Sequence, residues 1–169
     1  MGKVVAAATV SLDGYIAGPN ESGFEHLFAW FDGGNHELPS LNPNLHFRLT
    51  EPDYRYMRDV VESIGVFIIG RRMFDLSDGW GGRHAFDKPI VVVTHSVPEP
   101  WVAAHPDAPF TFVTDGLPAA IERARAIADD RNVCHAGQAR EPVPGAGPGR
   151  PDLDRPRARA ARLWRASLR

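Results

Sequence analysis

The chain has little cysteine, no long apolar run and almost no charge imbalance. Cys134 is the single cysteine among 169 residues, so no disulfide can form within the chain, and a reducing compartment is compatible. No segment approaches the roughly 20 apolar residues that a membrane-spanning helix needs. The N-terminus lacks the charged and apolar regions of a signal peptide. These absences lead us to expect a cytoplasmic protein with no membrane partner.

A strongly basic surface and paired metal ligands are missing as well. The formal net charge is −2, whereas a general nucleic-acid binder carries a strongly basic surface. The seven histidines form no HxxxH or HExxH pair, and the lone cysteine has no CxxC partner. We therefore expect no nucleic-acid partner and no metal site.

The C-terminal segment differs in composition from the rest of the chain. Residues 135–169 contain eight arginines, no lysine and three acidic residues, together with frequent proline and glycine. Proline lacks a backbone donor and glycine adds chain entropy, so Pro142–Pro156 cannot sustain a helix or a strand. We expect an α/β domain over residues 1–134 and an irregular or disordered tail over residues 135–169.

Strand and helix patterns alternate along residues 1–134, which is typical of an α/β domain. Apolar, β-branched runs bounded by turn residues predict strands at Lys3–Ser11, Val66–Ile69, Pro89–Thr94, Phe110–Val113 and Asn132–His135. Helical spacing predicts helices at Glu51–Ser63, with Thr50 as N-cap, and at Arg71–Leu76 and Leu117–Ala128. The segment Gly33–Thr50 is predicted to be rich in loops.

Two of the predicted strands end at groups that suit phosphate. Ligands of open α/β sheets collect at the carboxyl ends of the strands. Glycine lets a backbone approach a ligand, while arginine, hydroxyl and imidazole groups donate hydrogen bonds to phosphate. These features predict a site for a phosphorylated cofactor; the alternative for the two arginines is that they are solvated residues after a strand. The predicted set is Gly70, Arg71, Arg72, Thr94, His95 and Ser96.

Four segments together resemble the dihydrofolate reductase-like family that includes the C-terminal reductase domain of bacterial riboflavin biosynthesis proteins. The segments are Ser11–Ala17 (SLDGYIA), Gly70–Phe74 (GRRMF), Val91–Ser96 (VVVTHS) and Phe110–Gly116 (FTFVTDG). They occur in the family's order, and the resemblance covers roughly residues 3–134. The first two segments are the more specific ones.

The resemblance implies a mostly parallel central sheet flanked by helices. It implies an NADPH-dependent reductase that passes hydride to a pterin- or pyrimidine-like heterocycle, with a ribosylated aminopyrimidine as the family's best-known substrate. A homodimer, weakened by the altered C-terminus, is also compatible with the family. Carried over residue by residue, Ala8 and Ile16 would line the nicotinamide side. Gly70, Arg71, Arg72 and Met73 would meet the pyrophosphate, and Thr94, His95 and Ser96 would hold the adenosine 2′-phosphate.

Two acids are candidate catalytic groups. Asp13 is the acid nearest the expected nicotinamide, and its structural alternative is a turn residue before Gly14. Asp53 lies on a helix in the region that carries the substrate-binding acid in reductases that act on folate. The alternative for Asp53 is a carboxylate that stabilises a helix N-terminus. An aromatic cluster at Phe28, Trp30 and Phe31 either packs in the core, which we favour, or borders a substrate pocket.

The chain departs from the family after the strand predicted at Asn132–His135. In the relatives this strand runs into a Gly-Gly turn that cradles the cofactor phosphates, whereas Val133–Gln138 contains no Gly-Gly pair. We therefore expect a sheet that is incomplete at its C-terminal strands and a strand at Asn132–His135 that lies at a sheet edge. A frameshift in a GC-rich gene would explain the composition of the tail. The alternative function is a non-catalytic, truncated or frameshifted remnant that binds nucleotide weakly or not at all.

Overall fold

Parallel strands form the central sheet of the fold. The computed structural model describes residues 2–12, 14–43 and 45–136. The five strands of this sheet are β1 Val4–Ala7, β4 Ile64–Gly70, β5 Ile90–Val93, β6 Phe110–Val113 and β7 Asn132–Ala136. Their order is β1-β7-β4-β5-β6, and every neighbouring pair is parallel. The predicted α/β class with a mostly parallel central sheet flanked by helices is confirmed.

Helices, a small antiparallel sheet and connecting loops surround the central sheet among the described residues. The small sheet pairs β2 His36–Leu38 with β3 Phe47–Leu49. The helices are α1 Phe24–Leu27, α2 Glu51–Ser63, α3 Arg71–Ser77, α4 Glu99–Ala104 and α5 Gly116–Ala128. Within these residues no helix has both the length and the apolar character that crossing a membrane requires.

Helix α5 covers one face of the central sheet through small residues. Ala120, Ala124 and Ala128 are fully buried against Val66 and neighbouring apolar side chains of the sheet. A Cβ atom at Gly65 would lie 2.8 Å from the Cα of Ala128, so only glycine permits this approach of β4 to the end of α5. The close contact between α5 and β4 removes the middle of the sheet from solvent on this face.

The opposite face carries an aromatic core that anchors α3 and α4. Phe74 of α3 is buried and lies edge-on to Trp101 of α4, with 4.9 Å between the ring centroids. Both rings pack against the apolar side chains that β4 and β5 place on this face. The start of α3 is thereby fixed at the carboxyl edge of the sheet, where the site was predicted.

The first and last strands differ from the prediction. β1 ends at Ala7, where its pairing with β7 ends opposite Ala136, rather than at Ser11. Ser11 itself lies in a turn: its backbone N–H donates to the backbone oxygen of Tyr15 (2.8 Å), and its side-chain oxygen accepts from the backbone N–H of Tyr15 (3.0 Å). The prediction that Asn132–His135 lies at a sheet edge is wrong. β7 is paired on both sides, with Val133 opposite Val4 of β1 and Val66 of β4.

Two elements in segments predicted as connections were missed. The β2–β3 sheet lies in the segment predicted to be rich in loops, and its strands of three residues are too short for alternation to show. Helix α4 carries proline in its first turn, where the missing N–H costs little, so proline here begins a helix instead of breaking one. The tail at residues 137–169 lies outside the described residues, and β7 continues to Ala136, two residues beyond the predicted domain.

Candidate functional site

The ends of β4 and β5 lie side by side at the carboxyl edge of the central sheet. Gly70, the last residue of β4, is in register with Val93, the last residue of β5. Helix α3 therefore starts beside the chain that leaves β5. This register brings Arg71 to Thr94 and Ser96, and we refer to Gly70, Arg71, Thr94 and Ser96 as the β4–β5 cluster.

Arg71 joins the two strand ends through its guanidinium group. Its NH1 atom donates to the backbone oxygen of Ser96 at 2.9 Å and to the hydroxyl of Thr94 at 3.3 Å. Its Nε atom donates to Oδ1 of Asp75 at 2.7 Å, one helical turn further along α3. Sequence reasoning missed Asp75, although the i,i+4 spacing of an arginine and an acid on a predicted helix was a usable signal. Arg71 thus reaches the site with its charge partly neutralised.

Thr94 is the most buried polar residue of the cluster. Its hydroxyl donates to the Ser96 backbone oxygen at 2.8 Å and accepts from the Ser96 backbone N–H at 3.3 Å. Together with the bond from Arg71, these contacts use the donor and both acceptor positions of the hydroxyl. The geometry therefore gives Thr94 the role of shaping the loop, with little capacity left for a ligand.

Gly70 leaves open space at the start of α3. Its φ of −84° suits any residue, and a Cβ atom built there would meet nothing within 4 Å. Neither packing nor backbone conformation demands glycine at this position. A ligand that approaches the backbone is a physical reason for a glycine here, since any side chain would stand in its way.

The other predicted residues of this edge, Arg72, Met73, His95 and Ser96, are exposed.

The segment that follows β1 borders an open cleft of about 910 Å³. Ala8 and Ile16 are half-buried in this segment, and their neighbours Ser11, Tyr15 and Ala17 line the cleft. His26 and Leu27 of α1 close its other side. Asp13, the first candidate catalytic acid, lies outside the described residues. Its role stays a prediction.

Asp53 occupies the first turn of α2. Its carboxylate accepts a hydrogen bond from the Thr50 hydroxyl at 2.5 Å, and its backbone N–H donates to the same hydroxyl at 3.4 Å. This is the geometry of a helix N-cap, in which the side chains satisfy backbone donors that have no partner within the helix. The catalytic role of Asp53 stays a prediction, and the structure supplies its structural alternative.

Two histidines, the buried His135 and the half-buried His84, were not singled out from the sequence. His135, near the end of β7, is 6% exposed, and its Nδ1 atom has no hydrogen-bond partner among the described residues. Burial lowers the pKa of His135. Burial also lowers the pKa of His84, to about 4, among the rings of Phe67, Trp80 and Phe86. An imidazole held neutral in this way serves packing and hydrogen bonding near pH 7.

Comparison with known proteins finds partial likeness among solved structures. No protein-family model and no curated protein sequence matches this chain. A solved structure that is similar comes from Shewanella sp. PV-4 and is provisionally described as a riboflavin biosynthesis protein. The two chains are 20% identical with a TM-score of 0.47, and the match covers 82% of this chain. It spans 65% of the length of the Shewanella protein. The proposed function therefore rests on the residues of this chain and not on this likeness.

Proposed function

We propose that this chain is an NADPH-dependent reductase that passes hydride to a small pterin- or pyrimidine-like heterocycle, of the type that reduces an aminopyrimidine in riboflavin biosynthesis. The observation that carries the proposal is the β4–β5 cluster. There the ends of two adjacent parallel strands bring together a guanidinium group, hydroxyl groups and an unhindered glycine backbone. Groups of these kinds recognise phosphate through charge-assisted and backbone hydrogen bonds.

The exposed members of this edge would hold the cofactor phosphates. Arg72, His95 and Ser96 offer guanidinium, imidazole and hydroxyl donors at the surface. Arg71 would act mainly by positioning, because two of its nitrogen atoms already bond Asp75 and Ser96. Arg72 is exposed beside this edge, and we expect its guanidinium group to contribute to the attraction for phosphate.

The nicotinamide would lie towards the end of β1. With β7 between them, the ends of β1 and β4 are two strand spacings apart, roughly 10 Å. Ala8 and Ile16 would contact the ring, and the cleft beside Ser11 and Tyr15 would admit the heterocycle. The bound cofactor supplies the hydride, while the protein orients the two rings and excludes water. Asp13 and Asp53 are the candidates for the proton source.

A second candidate function is a non-catalytic remnant that binds nucleotide weakly or not at all. The contacts within the β4–β5 cluster favour it, because Thr94 and Arg71 are already bonded to protein groups. In that case the cluster only ties the end of β5 to α3. The two candidates differ in whether the exposed groups at this edge bind a phosphorylated molecule.

The test is a titration of the purified chain with NADPH, followed by tryptophan fluorescence, with Arg72→Ala as the site variant. Arg83→Ala is the matched control, because Arg83 is an exposed arginine that pairs with Asp87 away from the cluster. The proposal expects saturable binding that Arg72→Ala weakens and Arg83→Ala leaves unchanged. It also expects loss of the reduced-nicotinamide absorbance when an aminopyrimidine acceptor is added. Absence of saturable binding would support the remnant.

A further inference from the structure

Strand β1 lies at one edge of the central sheet, and its outer side is unpaired among the described residues. The sheet order places β7 on one side of β1 and no described strand on the other. The composition of β1 is nevertheless that of an interior strand. Val4, Val5, Ala6 and Ala7 make both of its faces apolar, and Ala6 is exposed while the other three are half-buried. An apolar strand with a free side is a surface that another strand can cover.

The backbone bonds between β1 and β7 show which groups of β1 point away from the sheet. The backbone N–H of Val133 donates to the backbone oxygen of Lys3 at 2.9 Å, and the register places Val133 opposite Val4. In a parallel pair, alternate residues direct both of their backbone groups to the same neighbour. Lys3 and every second residue after it therefore face β7, whereas Val4 and Ala6 direct their N–H and C=O groups to the open side. Among the described residues these outward groups have no hydrogen-bond partner.

Strand β1 also lacks the features by which sheet edges usually avoid new partners. Charged side chains, prolines and bulges protect such edges. Val4–Ala7 contains neither a charge nor a proline, and its pairing with β7 runs in register without a bulge. At the other edge of the sheet, the N–H of Phe110 in β6 already donates to the backbone oxygen of Ala108 at 2.7 Å. The edge at β1 is therefore the more available of the two.

The sequence of the tail makes it a poor partner for this edge. Residues 137–169 lie outside the described residues and follow directly after β7. A strand that covers β1 has to supply backbone donors, and five prolines of the tail have none: Pro142, Pro144, Pro148, Pro151 and Pro156. The remainder, residues 157–169, contains five arginines, which would bring charge onto an apolar strand. A second copy of β1 offers an uncharged strand with a complete row of donors and acceptors.

We propose that β1 pairs with β1 of a second copy in the antiparallel direction, so that two five-stranded sheets become one continuous sheet. A two-fold axis brings identical edges together, and the outward groups of Val4 and Ala6 in one copy then meet the same edge of the other. The antiparallel direction also keeps the two Lys3 side chains at opposite ends of the pair. The inference does not depend on the reductase function, because it uses no residue of the β4–β5 cluster.

Sedimentation of the full chain over a range of concentrations tests the pairing, with Ala6→Lys as the edge variant. We expect a reversible monomer–dimer equilibrium in the parent chain. Dimerisation should be at least about tenfold weaker in Ala6→Lys, because two like charges then meet at the interface. Ala6→Pro removes one outward donor without adding charge and should also weaken the dimer. Ala104→Lys is the matched control, since Ala104 is an exposed alanine at the end of α4, and it should leave the dimer unchanged.

Hydrogen exchange of the backbone amides locates the interface. We expect the N–H groups of Val4 and Ala6 to exchange slowly at concentrations where the dimer forms and rapidly where the chain is monomeric. In Ala6→Lys the N–H of Val4 should lose this protection, while that of Val133 inside the sheet keeps it and so reports that the variant is folded.

Three results would overturn the proposal. The first is a monomer at every concentration, and the second is a dimer that Ala6→Lys and Ala6→Pro leave unchanged. The third is protection of Val4 and Ala6 that does not depend on concentration, which would assign the edge to residues 137–169 of the same chain.

Discussion

At the scale of single residues, a substitution at Gly70 best distinguishes an effect on stability from an effect on ligand binding. Its φ is ordinary and its Cβ position is empty, so a side chain should fit the folded chain without strain. Gly70 is also the N-cap of α3 and provides no capping hydroxyl. A serine there would cap the helix, while its side chain would occupy the space through which we propose that a phosphate approaches.

We predict that Gly70→Ser keeps or raises the free energy of unfolding, by about 0.3 kcal/mol, and weakens NADPH binding. Urea unfolding gives the first quantity and fluorescence titration gives the second. Gly33→Ala is a suitable control, since Gly33 has a φ of −87° and its Cβ would make ordinary contacts in another part of the chain. Unchanged NADPH affinity in Gly70→Ser would remove the backbone of Gly70 from the site.

His84 makes the stability of the fold depend on pH. Its pKa is about 4 in the folded chain and near 6.5 when exposed, because burial disfavours the charged imidazole. The unfolded chain therefore takes up a proton at a higher pH than the folded chain does. The contribution of His84 to the free energy of unfolding is therefore complete above pH 6.5, and it is lost progressively as the pH falls from 6.5 towards 4. A shift of this size corresponds to at most about 3 kcal/mol.

Urea unfolding at a series of pH values measures this loss. We predict that the free energy of unfolding falls between pH 6.5 and 4, and that His84→Gln flattens the profile. Glutamine can still accept from the backbone N–H of Phe86, which now donates to Nδ1 of His84. The lowered pKa of His135 acts in the same direction, so part of the slope should persist in the variant. If the free energy of unfolding of His84→Gln falls with pH as steeply as that of the parent chain, His84 is not the source of the pH dependence.

At the scale of elements, the longest helices and several buried strands could be predicted from the sequence. The helix at Glu51–Ser63 has the predicted bounds, since Thr50 and Pro52 mark its start unambiguously. The strand at Phe110–Val113 is also as predicted. The β2–β3 sheet could not be predicted, because its short strands depend on packing of Leu38 and Phe47 against distant aromatic residues. Local pattern fails where an element is fixed by tertiary contacts.

The candidate site was predictable in part for the same reason. The sequence identifies strand ends, and parallel strands place their ends at one edge, so the meeting of Arg71 with Thr94 could be anticipated. The sequence does not show which donors and acceptors of the β4–β5 cluster are already bonded to other protein groups. That the Thr94 hydroxyl bonds the backbone of Ser96 depends on positions that only the fold defines, whereas the i,i+4 spacing of Arg71 and Asp75 was visible in the sequence.

The start of α2 allows a direct test of an element's stability. We predict that Thr50→Ala lowers the free energy of unfolding by about 1 kcal/mol, because the Thr50 side chain caps the N-terminus of α2 by accepting from the backbone N–H of Asp53. The exposed Thr114, which follows β6, is the matched control, and Thr114→Ala should have little effect. Asp53→Asn keeps most of the cap, so a loss of reductase activity without a loss of stability would favour the catalytic role. Equal stability of Thr50→Ala and the parent chain would contradict the capping geometry.

At the scale of the whole molecule, the central sheet has an open carboxyl edge, and the proposed cofactor site lies along that edge. β7 lies between β1 and β4, so the strand that was expected at a sheet edge instead lies between the proposed nicotinamide side and the proposed phosphate side. The loops after β1, β4 and β5 all leave from this edge. A cofactor with phosphates at one end and a reactive ring at the other suits such an arrangement.

The central claim is that this edge binds NADPH, and calorimetric titration of the purified chain with NADPH and NADH tests it most directly. The two cofactors differ by one phosphate, and a charge-assisted hydrogen bond is typically worth about 1.5–3 kcal/mol. We therefore predict that NADPH binds at least about tenfold more tightly than NADH. We also predict that His95→Ala weakens NADPH more than NADH, because the exposed His95 belongs to the group that would hold the 2′-phosphate. Equal affinities for the two cofactors, or no measurable binding of either, would contradict the account.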